Sequence, residues 1–168
     1  IVFICVPTPS NPDGSCNISI VEKTVEQFRD TNKIIVVKST VEPGTTAKLA
    51  RKYNCKVFFN PEFLTEKNAW NDFLQSDRQI VAPAEINEES LKDASLVLKL
   101  LPAALFMSPS GNYKMCSTEA ELVKHGANLF GSTKVSFFNM MYDRCKILGV
   151  DFENVCKGIT SDRRIGPS

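Results

Sequence analysis

Three short runs in the first sixty residues constrain the fold more than anything else in the chain. They are Ile1–Val6, with the sequence Ile-Val-Phe-Ile-Cys-Val, then Ile34-Ile35-Val36-Val37 inside Lys33–Lys38, then Val57-Phe58-Phe59 inside Lys56–Phe59. Each is apolar at consecutive positions, not alternate ones, so a strand built from it is covered on both faces. Between them the period changes. Ile18, Val21, Val25 and Phe28 fall on one face of a helix spanning about Ile18–Arg29, and a second helix is predicted from about Thr45 to Tyr53. Strands apolar on both faces and joined by helices form a parallel sheet of right-handed βαβ units. The pattern continues with a short helix to Phe73, a strand at Arg78–Val81, a helix capped by Asn87 running to about Leu101, and a strand at Ala103–Met107. The class is α/β.

This topology makes a functional statement. In an open α/β sheet, ligands bind outside the carboxyl ends of the strands. Three loops leave three successive strands at that edge: Val6-Pro7-Thr8-Pro9, Ser39-Thr40-Val41-Glu42-Pro43-Gly44 and Asn60-Pro61-Glu62-Phe63-Leu64. A ligand in the crevice meets all three.

The last third is different. Thr118-Glu119-Ala120-Glu121 reads as a capping box that opens a long helix to Leu148, with Gly149 at its C′ position. Gly126 and Gly131 inside it point to a close neighbour. Asp151 then caps a helix over Phe152–Ile159. Lys124 and Asn128 share a face, and Glu121 stands three residues before Lys124. Spacing alone leaves two readings open: a solvated ion pair on a surface stripe, or a cation and an amide serving a site. Glu62 and Glu66, four apart, would share a face if their segment is helical. They are either a solvated turn or a carboxylate pair able to divide acid and base duties.

Composition narrows the function class. The 168 residues suit one domain or parts of two, and 43% apolar content supports a packed core. Twenty basic against nineteen acidic side chains leave +1, which supplies no footprint for nucleic acid or an anionic membrane. The longest apolar stretch, Leu96–Met107, is interrupted by Lys99 and Pro102 and is too short to span a bilayer. Six cysteines occur without a C-x-x-C pair and with a single histidine, His125, so no metal site is expected. Cys5, Cys145 and Cys156 in apolar or helical runs read as buried free thiols of a cytoplasmic protein. The chain opens mid-strand without a methionine, so a fragment of a longer protein is expected.

Taken together, the segments resemble the UDP-glucose/GDP-mannose dehydrogenase family. The carrying runs are Val2-Phe3-Ile4-Cys5-Val6-Pro7-Thr8-Pro9, Lys38-Ser39-Thr40-Val41-Glu42-Pro43-Gly44-Thr45, Asn60-Pro61-Glu62-Phe63-Leu64, Asp77-Arg78, Glu121-Leu122-Val123-Lys124 with Ala127-Asn128, and Arg164-Ile165-Gly166. They stand in the family's order and cover essentially the whole chain. The resemblance implies residues 1–110 as the later half of an NAD-binding Rossmann-like domain, and 111–168 as a long connecting helix with the start of an α-helical dimerisation region.

The resemblance also implies a chemistry: oxidation of the C6 alcohol of a nucleotide sugar to a carboxylate by two NAD molecules, with UDP-glucose the preferred substrate. Relatives pass through a cysteine thiohemiacetal and a thioester that water hydrolyses. By resemblance, Lys124 and Asn128 stabilise the negative C6 oxygen, Thr40 holds the water, and Glu62 and Glu66 supply the hydrolytic base and a contact to cofactor and substrate. Val6, Pro7, Thr8, Ser39, Thr40 and Glu66 match positions that face NAD. Glu62, Phe63, Leu64, Lys124, Asn128 and Arg164 match positions that meet the nucleotide sugar, Arg164 reaching the neighbouring subunit of a homodimer. The Gly-rich NAD turn and the Gly-Phe-Gly-Gly-x-Cys run of the family do not occur in these 168 residues, so the chain by itself is expected to be inactive. Glu42, Ser76 and Lys67 depart from the family's usual proline, proline and glycine. His125 is read as structural. The alternative is a truncated, non-catalytic relative that only dimerises or binds nucleotide.

Overall fold

The computed structural model describes residues 1–166; Pro167 and Ser168, the end of the expected second domain, lie outside the described residues. The chain divides into two compact units, Ile1–Lys124 and His125–Ser168.

In the first unit β1 (Val2–Ile4), β2 (Ile35–Val37) and β3 (Val57–Phe59) form a parallel ladder with Val2 opposite Ile35 and Ile35 opposite Val57. α1 (Ser19–Phe28) and α2 (Thr45–Tyr53) are the crossovers. Because the three strands run the same way, their carboxyl-end loops share one edge, as the apolar runs predict. Alternation along β2 and β3 divides the core in two. Ile35, Val37, Val57 and Phe59 pack with Val21, Val25, Leu49 and Ala120 on one face, while Val36 and Phe58 pack with Ala94, Val97 and Leu98 on the other.

Several expectations are corrected. β1 is an edge strand; of Ile1–Val6 only Ile4 is buried, and Cys5 is exposed and therefore not a buried thiol. Consecutive apolar residues indicate a buried strand where neighbours flank it on both sides; among the described residues β2 and β3 have such neighbours and β1 is flanked on one side. The sheet is not wholly parallel. The predicted strand at Arg78–Val81 forms β4 (Arg78–Ile80), which pairs parallel with β6 (Phe106–Ser108), and just beyond it an unpredicted strand, β5 (Ala82–Pro83), pairs antiparallel with β3. α3 (Ala69–Leu74) follows a 3-10 turn at Glu66–Asn68. α4 (Glu88–Leu98) starts at the predicted Asn87 cap, where Asn87 Oδ1 accepts from the Ser90 N–H at 2.9 Å.

α5 (Ser117–Leu148) begins in the first unit and continues into the second. Half of a capping box forms two positions earlier than predicted: Glu119 accepts from the Cys116 N–H at 2.8 Å, and Glu121 is left for another task. In the second unit α5 ends in a Schellman turn. Gly149 has φ +66°, and the Val150 N–H donates to the Cys145 carbonyl at 3.0 Å. Asp151 caps α6 (Phe152–Thr160) through the Glu153 N–H at 2.9 Å. Tyr142 and Phe152 meet edge to face at 5.5 Å between ring centroids. Nothing approaches within 4 Å of a Cβ built on Gly126 or Gly131, so the expected close neighbour is absent among the described residues. No helix of the described residues is long and apolar enough to cross a membrane.

Candidate active site

The three loops at the carboxyl edge are bound to one another. The Ser39 hydroxyl accepts from the Val6 N–H at 2.9 Å and donates to the Val6 carbonyl at 2.6 Å. The Thr8 hydroxyl donates to the Thr40 carbonyl at 2.8 Å, and the Cys16 N–H reaches the Glu42 carboxylate at 3.0 Å. Val6, Thr8 and Thr40 are half-buried, Ser39 is buried, and Pro7 is exposed. The hydroxyls of Ser39 and Thr8 are thus occupied in setting the loop shape.

The third loop is built around Asn60. Its side chain is fully buried; it donates to the Ile80 carbonyl at 2.7 Å and accepts from the Lys38 ammonium at 2.6 Å. Pro61 cannot extend the ladder, so the chain turns outward and Glu62 follows at the strand end. Lys124 comes to meet it from the second turn of α5. Its ammonium donates to the Glu62 carbonyl at 2.6 Å and to Glu62 Oε1 at 3.0 Å. Glu62 Oε2 accepts from the Leu64 N–H at 2.7 Å. Lys124 is only 6% exposed, so its charge sits in a medium that amplifies its interactions.

Burial pushes the Glu62 carboxyl up, but the Leu64 N–H, Lys124 and the nearby charge of Lys38 outweigh it and hold its pKa below the ordinary value. Glu62 is therefore a carboxylate at neutral pH. Burial pushes the Lys38 ammonium down, with Cys5 and Glu62 opposing the shift. Phe63 forms a platform: the Arg78 guanidinium stacks on its ring at 3.8 Å, and Lys124 lies 5.6 Å from its centroid. Beside them opens a cleft of about 240 Å³ lined by Lys38, Glu62, Phe63, Leu64, Ser76 and Arg78 among others. The Arg78 Nε is buried with no hydrogen-bond partner among the described residues.

Two of the readings left open by spacing are decided here. Glu62 and Glu66 do not share a helix face: Glu62 stands in an extended loop, and Glu66 opens an exposed 3-10 turn. The bond from the Leu64 N–H to Glu62 and the stacking of Phe63 against Arg78 hold that segment in its loop. Glu121 and Lys124 are not a solvated ion pair either. Glu121 is fully buried and accepts from the Gly44 N–H at 2.5 Å and the Thr46 N–H at 2.9 Å, while Lys124 turns to Glu62. Lys38, Asn60 and the capping role of Glu121 were missed in the sequence. A charge ending the second apolar run was the signal for Lys38; nothing local marked Glu121. Thr40, Glu62, Phe63, Leu64 and Lys124 all belong to the first unit. Asn128 is exposed on α5 within the second unit, and Arg164 is exposed and forked onto Asp162, with the shortest contact 2.6 Å.

The neutral loops suit one part of a dinucleotide. Val6–Thr8 and Ser39–Thr40 carry no charged side chain, which suits the uncharged carboxamide end of a dinucleotide. A pyrophosphate needs a Gly-rich turn at a helix start, which these residues do not contain.

Residues 1–96 match the NAD binding domain of the UDP-glucose/GDP-mannose dehydrogenase family, and residues 118–168 match its central domain. The UDP-glucose 6-dehydrogenase of Pseudomonas aeruginosa is 37% identical over 180 residues, covering 99% of this chain and 38% of that protein. A UDP-glucose dehydrogenase structure from Pyrobaculum islandicum superposes with a TM-score of 0.81 at 35% identity, over 98% of this chain and 39% of that one. The GDP-mannose dehydrogenase of Pseudomonas aeruginosa gives a TM-score of 0.77 at 25% identity, over 95% of this chain and 38% of its own. The chain spans about two-fifths of the length of the relatives it matches.

Proposed function

The chain belongs to the UDP-glucose/GDP-mannose dehydrogenase family, and from that premise we propose that it supplies part of the active site of an NAD-dependent nucleotide-sugar 6-dehydrogenase, with UDP-glucose as the substrate. The observation that carries this reading is Lys124, a buried ammonium fixed by Glu62 at the carboxyl edge of the sheet. Oxidising an alcohol at C6 builds negative charge on its oxygen. A desolvated cation already held in place stabilises that charge without reorganising.

NAD, when bound, accepts the hydride from C6. Val6, Pro7, Thr8, Ser39, Thr40 and Glu66 would hold it. Phe63 and Leu64 present backbone and ring to the sugar nucleotide. Glu62, ionised at neutral pH, can take a proton from water once Lys124 transfers its contacts to the substrate oxygen, and Thr40 orients that water. Asn128 adds an amide donor, and Arg164 meets the substrate of a partner subunit in a homodimer. UDP-glucose is favoured by the names of the more similar relatives.

The test is NAD reduction by the full-length gene product. Two NADH per UDP-glucose, with slower turnover of GDP-mannose and N-acetylated UDP-sugars, is the expected result. No NAD reduction with any of these sugars overturns the reading. Faster turnover of GDP-mannose overturns the substrate choice.

A further inference from the structure

We propose that Glu121 is a positioning residue: it locks the Thr40 loop to the helix that carries Lys124, and so sets the distance between the water-holding and charge-stabilising groups. The inference rests on the proposed function and extends it to a residue that acts through the groups it holds.

The argument starts at α2. Its N-cap residue is Gly44, with φ +92°, and no side chain caps the helix start locally. A left-handed backbone there disfavours the Ser, Asp or Asn that would ordinarily cap. The first-turn amides would be orphaned where Thr46 is fully buried. Glu121 supplies what the loop cannot, reaching across 77 and 75 positions of sequence to the Gly44 and Thr46 N–H groups. A carboxylate at a helix N-terminus also meets the positive end of the helix dipole.

Glu121 does more than stabilise a helix because of what lies on either side of it. On the α2 side, Gly44 closes the loop whose earlier residue, Thr40, is strapped to Thr8. On the α5 side, Lys124 lies one turn further and grips Glu62. Two loops that leave neighbouring strands are therefore both tied to the first turns of α5, one by each residue. If Glu121 lets go, Lys124 keeps its contact with Glu62 while the Thr40 loop loses its register.

The experiment compares Glu121→Gln with Leu49→Val in the full-length gene product. Gln keeps the shape but turns an NH₂ toward one of the two amides. Leu49 is buried on α2 and makes no link to α5 through a polar group, so Leu49→Val reports loss of stability alone. Expected for Glu121→Gln are a loss of kcat of about tenfold or more, a KM for the nucleotide sugar within about twofold of wild type, and faster amide exchange at Gly44 and Thr46. Glu121→Asp, which keeps the charge, should recover part of kcat, and it carries the comparison if the Gln variant does not fold. Leu49→Val should lower the melting temperature and keep kcat. An unchanged kcat in Glu121→Gln overturns the proposal, as does an equal loss in Leu49→Val or a rise in KM alone. If the wild-type protein turns over no nucleotide sugar, the functional reading fails. Amide exchange then decides the Glu121 link by itself: unchanged exchange at Gly44 and Thr46 overturns it.

Discussion

The starts of α2 and α4 solve the same problem in opposite ways. Each helix has orphaned N–H groups in its first turn. At α4 the solution is local: Asn87 accepts from the Ser90 N–H at 2.9 Å, and Ser90 returns the bond to the Asn87 N–H at 3.0 Å. At α2 the cap comes from Glu121 on another helix. The α4 cap is exposed and faces away from the three loops, whereas the α2 cap is buried behind the Thr40 loop. A local cap holds only its own helix. A distant cap holds two elements in register, which is what a site assembled from separate loops requires.

The largest expected effect tests the far end of that linkage. Lys124→Ala should cut turnover of UDP-glucose by about 10²-fold or more, through lost stabilisation of negative charge at C6. Near-normal turnover, measured as NADH formation, would remove Lys124 from the mechanism.

The two caps can be ranked directly. Glu121→Ala leaves two amides unpaired, one of them fully enclosed, and should cost about 3 kcal/mol. Asn87→Ala should cost about 1 kcal/mol, since water can replace the lost acceptor. Thermal denaturation should therefore separate the two by several degrees. Equal shifts would mean that burial does not distinguish the caps.

Acid sharpens the comparison at Glu62. Its pKa is lower in the folded chain than the ordinary 4.5, so its contribution is present above that value and is lost as pH falls through the depressed one. The stability gap between wild type and Glu62→Gln should shrink between pH 7 and pH 3 in denaturant titrations. A gap that stays constant over that range would show that the carboxylate charge contributes nothing.

The smallest effect belongs to the surface clamp on α4, where Lys56 meets Glu89 at 2.7 Å and Asp93 at 2.8 Å. Hydrogen bonds donated to Asp93 and Glu89 raise its pKa to about 12, so the clamp is complete below the ordinary 10.5 and dissolves as pH rises through the higher value. At neutral pH Lys56→Gln should shift the melting temperature less than Asn87→Ala, and roughly 0.5 M salt should erase the Lys56→Gln shift. A larger, salt-resistant shift would count against a solvent-screened clamp.

Much of the fold was legible because its signals are local. The prediction for α2, Thr45–Tyr53, matches residue for residue, because Gly44 before it and Asn54 after it both take left-handed conformations. The Asn87 and Asp151 caps were readable for the same reason. The site was legible only in part. Strand direction brought the three loops to one edge, but Glu62 and Glu66 looked like a helical pair because spacing says nothing about a proline-led turn. The separate strand β5 just after Arg78–Val81 also escaped, since a short apolar run carries no sign of which partner it will find.

What the sequence determined by itself is therefore periodic or chain-local: the strand runs, the helix faces, the breaks at proline and glycine, and the order of loops along the edge. These depend on dihedral preferences and on which face each residue presents, and neighbours along the chain set both. The tertiary structure decided partners. It buried Lys124 against Glu62, sent Glu121 to the start of α2, and left β1 at an edge with Cys5 exposed. Each of these depends on closing loops of sixty or more residues or on what covers a face. Folding settles such contacts by burial and hydrogen-bond completion across the whole unit, and no local pattern encodes them.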